Sequence, residues 1–115
     1  MIIENTGLNG VKSELGHLDD ITTGLGFVRW QWEYTRATYD CKFEDKQKGE
    51  EYFLRISTRA VEGKLENPYA VLTIEESYLG RATFPHGLDY SATSIPDHVV
   101  KAATQKLIDL KNKLN

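Results

Sequence analysis

The chain has 115 residues, of which 40% are hydrophobic and 27% charged, proportions typical of one globular domain, which is predicted to span residues 1–115. Its net charge of -3, with acids and bases interspersed, argues against the basic surface that nucleic-acid binding requires. No segment approaches the roughly 20 apolar residues of a membrane span, and residues 1–5 lack the basic start of a signal peptide. We therefore expect a cytoplasmic protein that binds neither nucleic acid nor membrane.

An amphipathic helix is predicted near the N-terminus. Ser13 is a suitable N-cap, and Gly24 and Gly26 supply the glycines that commonly end a helix. Apolar side chains recur between them at helical spacing, at Leu15, Leu18, Ile21 and Leu25. This stripe predicts a short helix that covers another element.

From Phe27 the hydrophobic period changes to two, which is typical of half-buried strands. The first predicted strand has aromatic residues of one parity, namely Trp30, Trp32 and Tyr34, which are expected to pack in the core. Trp30 lies at the margin of the sheet, so its ring could instead be exposed at a recognition surface. A second strand covers residues 37–43 and places Cys41 in the core as a small hydrophobe. Six polar residues have the opposite parity and are predicted to share one sheet face: Arg29, Glu33, Asp40, Lys42, Arg55 and Arg59. This face is either solvated, as one face of an antiparallel sheet commonly is, or an interface.

Three further strands are predicted after the charged connection of residues 44–51. The third strand covers residues 52–61, and the fourth covers residues 70–75 after the turn signal Asn67-Pro68. Leu79-Gly80 is a hairpin signal. It leads to a fifth strand, residues 81–84, which Pro85 ends.

A second helix is predicted to run from Ser94-Ile95-Pro96-Asp97 to the C-terminus, since these residues combine an N-cap, a first-turn proline and an acid three residues after the cap. Its apolar stripe comprises Val100, Ala103, Leu107, Leu110 and Leu114. The element order predicts an α+β fold, a single antiparallel sheet of about five strands in meander order with the N- and C-terminal helices packed on one face.

Several segments carry a resemblance to a known family. They are Gly26-Phe27-Val28-Arg29, Trp32-Glu33-Tyr34, Tyr52-Phe53-Leu54-Arg55-Ile56, Ala60-Val61-Glu62-Gly63, and Tyr78-Leu79-Gly80-Arg81 with Pro85-His86-Gly87. The chain resembles the YugN-like family of small bacterial proteins over nearly its whole length. The resemblance implies a domain and brings no assigned activity and no functional residue.

The candidate functional residues lie in two groups. Arg55 and Arg59 are two cations on one strand, and Arg81, His86, Asp89 and Tyr90 crowd one glycine- and proline-rich stretch. We favour a non-enzymatic binding domain that recognises a protein partner or a small acidic ligand, and a homodimer through the open sheet or through an edge strand is compatible with it.

The alternative is a hydrolase- or isomerase-type enzyme in which His86 acts as general base, Asp89 orients it and Arg81 binds an anion. The sequence has no phosphate loop, no dinucleotide fingerprint and no metal-ligand spacing around its three histidines, so no cofactor and no metal are predicted.

Overall fold

The computed structural model describes residues 1–31, 33–83, 87–91 and 95–114. Two helices and seven strands follow one another within these ranges. Their bounds are β1 Ile2–Ile3, β2 Lys12–Glu14, α1 Leu15–Gly24, β3 Val28–Trp30, β4 Arg36–Asp45, β5 Glu50–Glu62, β6 Val71–Ala82, β7 Leu88–Asp89 and α2 Asp97–Leu114.

All the strands pair antiparallel in one sheet. β3, β4, β5 and β6 are neighbours in chain order, and the other edge of β6 pairs with β1, β2 and β7. The α+β class and the antiparallel sheet are confirmed, and the sheet has seven strands instead of about five. The meander order holds from β3 to β6 but not for β1 and β2, which come first in the chain and pair with β6.

The hairpin predicted at Leu79-Gly80 is wrong, because β6 runs without interruption through both residues. Gly80 instead allows a close approach. A Cβ atom at this position would lie 3.0 Å from Cβ of Leu88 and 3.1 Å from the ring of Tyr90. The predicted fifth strand is thus partly the end of β6, and its predicted stop at Pro85 lies outside the described residues.

Two helices contact the face of the sheet that carries Tyr39 and Cys41, which we call the helix-covered face. The hydroxyl of Tyr39 in β4 donates to Asp19 Oδ1 of α1 at 2.7 Å. α2 lies beside the end of α1, where Lys106 Nζ donates to the carbonyl of Leu25 at 2.9 Å, and its buried residues share one core with those of the strands. The predicted helix placement is matched only in part, because β1 and β2 precede α1 and join the sheet.

The helix ends show one correction. α1 stops at Gly24 as predicted. Its predicted N-cap, Ser13, lies in β2, and Glu14 holds the N-cap position without a side-chain cap. For α2, the predicted N-cap Ser94 lies outside the described residues. Of the predicted stripe, Ala103, Leu107 and Leu110 are buried, and Val99 takes the buried place that was expected for Val100.

The core lies between the helices and this face, and most of its members were predicted as apolar stripe residues. Cys41 is among them, as predicted, and burial raises the pKa of its thiol. The buried set from the strands comprises Ala37, Tyr39, Cys41, Tyr52, Leu54, Ile56, Leu72, Ile74 and Leu79.

The buried face predicted for the first strand is wrong by one residue. Arg29 is paired with Tyr39, so its side chain lies on the helix-covered face, where Nη1 is 3.3 Å from Asp19 Oδ2. Trp30 is paired with Thr38 on the opposite face and is 52% exposed. Trp32 lies outside the described residues.

Tyr39 should make the stability of the protein sensitive to high pH. Burial, and next its hydrogen bond to Asp19, raise the pKa of this phenol far above its ordinary value. An unfolded tyrosine ionises near pH 10 while folded Tyr39 keeps its proton, so stability is full below about pH 10 and falls above it by about 1.4 kcal/mol per pH unit.

Tyr39→Phe removes this dependence together with one buried hydrogen bond. At pH 7 we expect a loss of about 1 kcal/mol in the free energy of unfolding. Between about pH 9 and pH 11 the variant should lose about 1.4 kcal/mol less than the wild type, as measured by urea denaturation. A difference between the two proteins that stays constant over this range would contradict the prediction. Tyr69→Phe, at a side chain 74% exposed, is the control for the loss at pH 7.

Candidate functional site

The face of the sheet opposite the helix-covered face, which we call the open face, carries the candidate site. One row of directly paired residues crosses the sheet from β1 to β3, because Ile2 pairs with Tyr78, Tyr78 with Arg55, Arg55 with Asp40 and Asp40 with Val28. Paired residues of antiparallel strands point to the same side. The open face therefore has a charged pair at its centre and apolar residues on both sides.

A bidentate ion pair forms this centre. Nε and Nη2 of Arg55 each donate to one carboxylate oxygen of Asp40 at 2.9 Å. The side chain of Asp40 is only 9% exposed, and that of Arg55 is 34% exposed. The hydrogen bond to Asp40 is the main cause that raises the pKa of the guanidinium, and the hydroxyl of Tyr90 contributes in the same direction. The two charges neutralise each other.

Aromatic side chains surround the ion pair. Tyr78 and Tyr90 pack with ring centroids 5.8 Å apart and planes tilted by 59°, a geometry that aromatic pairs favour. Beside them lies an open hollow of about 380 Å³ whose walls include Trp30, Phe53 and Tyr90. A second hollow of about 370 Å³ lies on the other side of Tyr90, against Ile2 and Tyr78. Tyr90 thus separates two hollows that share Arg55.

Tyr90 reaches the open face because of Gly80. β7 pairs with the end of β6, so that Asp89 lies beside Arg81, and the chain then places Leu88 and Tyr90 over the surface of Gly80. Any side chain at position 80 would occupy this space. The glycine thus determines where the aromatic ring next to Arg55 lies.

The predicted site residues separate into three places. Arg55 and Tyr90 meet on the open face. Arg81 pairs with the buried Tyr52, so it belongs to the other face, where it lies 3.4 Å from Glu50 and 3.5 Å from Asp89. The structure therefore does not bring Arg81 and Asp89 together with Arg55. His86 lies outside the described residues.

Arg59 lies on the open face but away from the central pair. It is four residues from Arg55 along β5, which corresponds to about 13 Å. Its Nε is 3.6 Å from Glu75, and Arg36 is 3.5 Å from the same carboxylate. Arg59 is thus part of a separate cluster at one end of the sheet.

Of the apolar members of the open face, Tyr90 was predicted as a site residue, whereas Ile2, Val28 and Tyr78 were missed. Trp30 was expected either in the core or exposed at the sheet margin. The signal that would have placed it outside is Phe27, which is 3% exposed. Since strand residues alternate, a buried Phe27 puts Arg29 on the same side and Trp30 on the other. Asp40 and Arg55 were expected on the polar face, and the structure places them there.

Two findings concern the described ranges alone. No three histidine, cysteine or acidic side chains in those ranges converge in a way that could hold a metal ion. Neither described helix combines the length and the apolar character needed to span a membrane.

The family model of the YugN-like family matches residues 4–111. The chain belongs to the YugN-like family. This confirms the resemblance seen in the sequence. The chain is 38% identical over 111 residues to the uncharacterized protein YlbA of Bacillus subtilis (strain 168), a match that covers 95% of this chain and 91% of YlbA. It is 30% identical over 97 residues to the uncharacterized protein YugN of the same strain, covering 84% and 71% of the two chains.

A solved structure of another YugN-like protein has the same fold. The crystal structure of the uncharacterized conserved protein YugN from Geobacillus kaustophilus HTA426 is similar with a TM-score of 0.84 at 37% identity. The similarity covers 99% of this chain and 94% of that one. The names of these YugN-like proteins assign no activity, so function has to be argued from the open face.

Proposed function

We propose that the chain is a non-enzymatic interaction domain that binds a polypeptide surface through its open face. One observation carries the proposal: exposed apolar side chains surround a neutralised ion pair on a sheet face that no described helix covers. Ile2 is 47% exposed, Val28 60% and Trp30 52%. Apolar side chains grouped in this way are typical of protein interaction sites.

The chemistry of the face favours a polypeptide over a small acidic ligand. An acidic ligand at the centre of this face needs an available cation there, and Arg55 is held in a bidentate pair by Asp40. The hollows beside Tyr90 are open, whereas pockets for small ligands enclose most of the ligand. Trp, Tyr and Arg are the residues on which protein interfaces most depend, and all three types lie together on this face.

The enzyme alternative stays a prediction without structural support. It requires His86 next to Asp89, and His86 lies outside the described residues. The carboxylate of Asp89 is 3.5 Å from Arg81 Nη2, so it already has a cationic partner. No second function is therefore proposed.

Photo-crosslinking tests the proposal. We expect para-benzoylphenylalanine in place of Trp30 to form covalent adducts with a polypeptide in bacterial cells after irradiation. The same amino acid in place of Gln105, an exposed residue of α2, is the control and should form none. Val28→Lys, added to the chain that carries the crosslinker at position 30, should remove the adducts, since it puts a charge among the apolar side chains of the open face. Equal adduct yields from positions 30 and 105 would sink the proposal.

A further inference from the structure

The open face of the β4–β5 hairpin is ordered by charge along its length. Five cross-strand pairs follow one another on it. In order along the strands the pairs are Arg36 with Arg59, Thr38 with Ser57, Asp40 with Arg55, Lys42 with Phe53, and Glu44 with Glu51. Two cations thus oppose each other at one end and two anions at the other.

Each like-charged pair is only partly compensated. Like charges directly opposite each other destabilise a sheet. Glu75 lies between the two arginines, 3.5 Å from Arg36 and 3.6 Å from Arg59. Lys42 lies between the two glutamates in the same way, 3.1 Å from Glu44 and 3.4 Å from Glu51. Each cluster keeps one excess charge, positive at the first end and negative at the second.

The charges along this hairpin are complementary to those of a second copy that is turned end for end. Two pairs lie on either side of the Asp40–Arg55 pair. A two-fold axis through this centre, parallel to the sheet and perpendicular to the strands, turns the hairpin end for end. It places the arginine end of one copy over the glutamate end of the other, twice, which is the self-complementary contact that a symmetric dimer needs.

We propose that the open face binds a second copy of this chain, face to face and with the strands of the two sheets running in opposite directions. The inference rests on the proposed function and names its partner. The row of paired residues from Ile2 to Val28 then packs against the same row of the second copy. The arginine cluster and the glutamate cluster fix the orientation of that copy. Sheets pack face to face at about 10 Å, a distance that aromatic side chains such as Trp30 can fill.

The size of the open face sets the affinity that we expect for the dimer. Eight residue steps from Arg36 to Glu44 span about 26 Å, and four interstrand spacings span about 19 Å. The projected area is about 500 Å², and the relief of the side chains raises the accessible area toward the roughly 600–1,000 Å² per partner of standard interfaces. We therefore expect a dissociation constant on the order of micromolar.

A charge exchange tests the orientation. Arg36→Glu with Arg59→Glu makes both ends negative, and Glu44→Arg with Glu51→Arg makes both ends positive. Each double variant should dimerise at least about tenfold more weakly than the wild type in sedimentation velocity, because like-charged ends then meet. An equimolar mixture should restore a heterodimer, since opposite ends meet again. Lys101→Glu with Lys113→Glu changes the net charge as much as the first variant does, lies on α2, and should dimerise like the wild type.

Several results would overturn the dimer. One is a wild type that stays monomeric at about 200 μM, a concentration far above the dissociation constant expected from the interface size. Another is a double variant that dimerises like the wild type. A third is a mixture of the two folded double variants that stays monomeric. If a variant does not fold by circular dichroism, the salt dependence of the wild type decides, because the dimer should weaken as salt screens the exposed ends. Adducts from position 30 to a different polypeptide, with a monomeric wild type, would overturn the dimer and leave the proposed function standing.

Discussion

Arg55→Val is expected to lower the free energy of unfolding by about 2–3 kcal/mol at pH 7. The substitution leaves the carboxylate of Asp40, which is 9% exposed, without its bidentate partner. Removal of one member of a buried pair costs about 3–5 kcal/mol, and a lower figure applies to this pair because Arg55 itself is 34% exposed. Valine suits a strand position, so the loss reflects the missing charge more than the backbone. Urea denaturation at about 0.1 μM protein, where a micromolar dimer is largely dissociated, gives the value.

The double variant Asp40→Val, Arg55→Val separates the charge effect from the packing effect. It removes both charges, and a buried pair replaced by apolar residues is often close to neutral in stability. We expect it to unfold within about 1 kcal/mol of the wild type. If the double variant is no more stable than Arg55→Val alone, the unpaired carboxylate is not the cause of the loss.

Leu107→Ala is expected to cost about 3–4 kcal/mol, as full burial of the leucine and the cavity left behind both contribute. Leu107 is 0% exposed and lies at the middle of the buried stripe of α2. The site on the open face is untouched by this change. Thermal or urea unfolding followed by circular dichroism measures the loss.

The neighbouring residue provides a matched control. Ile108 is 38% exposed on the same helix, and Ile108→Ala removes a side chain of the same size. It should cost less than about 1 kcal/mol, since much of its surface is already in water. Equal losses at positions 107 and 108 would mean that the stripe of α2 is not what holds the helix to the sheet.

The long elements other than β6 could be predicted because their periods are clear. The strand predicted at residues 37–43 lies within β4, that at 52–61 within β5, and the second helix is α2. β1 and β2 were missed because two or three residues are too few to show a period. They join the sheet through pairing with β6, which is distant in sequence. No local pattern reports such a contact.

The candidate site could be predicted in its polar residues and in Tyr90, but not in its other apolar residues. Charged residues of one parity indicated the face, and the structure places Asp40, Arg55 and Arg59 there. Trp30 could not be assigned to one face, since an aromatic residue in a three-residue strand such as β3 gives no indication of which face is covered. Gly80 was taken for a turn because the close approach of Tyr90 is a tertiary contact, and glycine serves either purpose.

The pairing of β1 with β6 is expected to slow the folding of the chain. The strands from β3 to β6 are joined by local hairpins, which close early and at small entropic cost. β1 has to find β6 across most of the chain, where the amide of Leu79 donates to the carbonyl of Met1 at 2.8 Å although the two residues are 78 positions apart. Such distant contacts slow folding. The edge that completes the open face beside Tyr78 is therefore expected to form last.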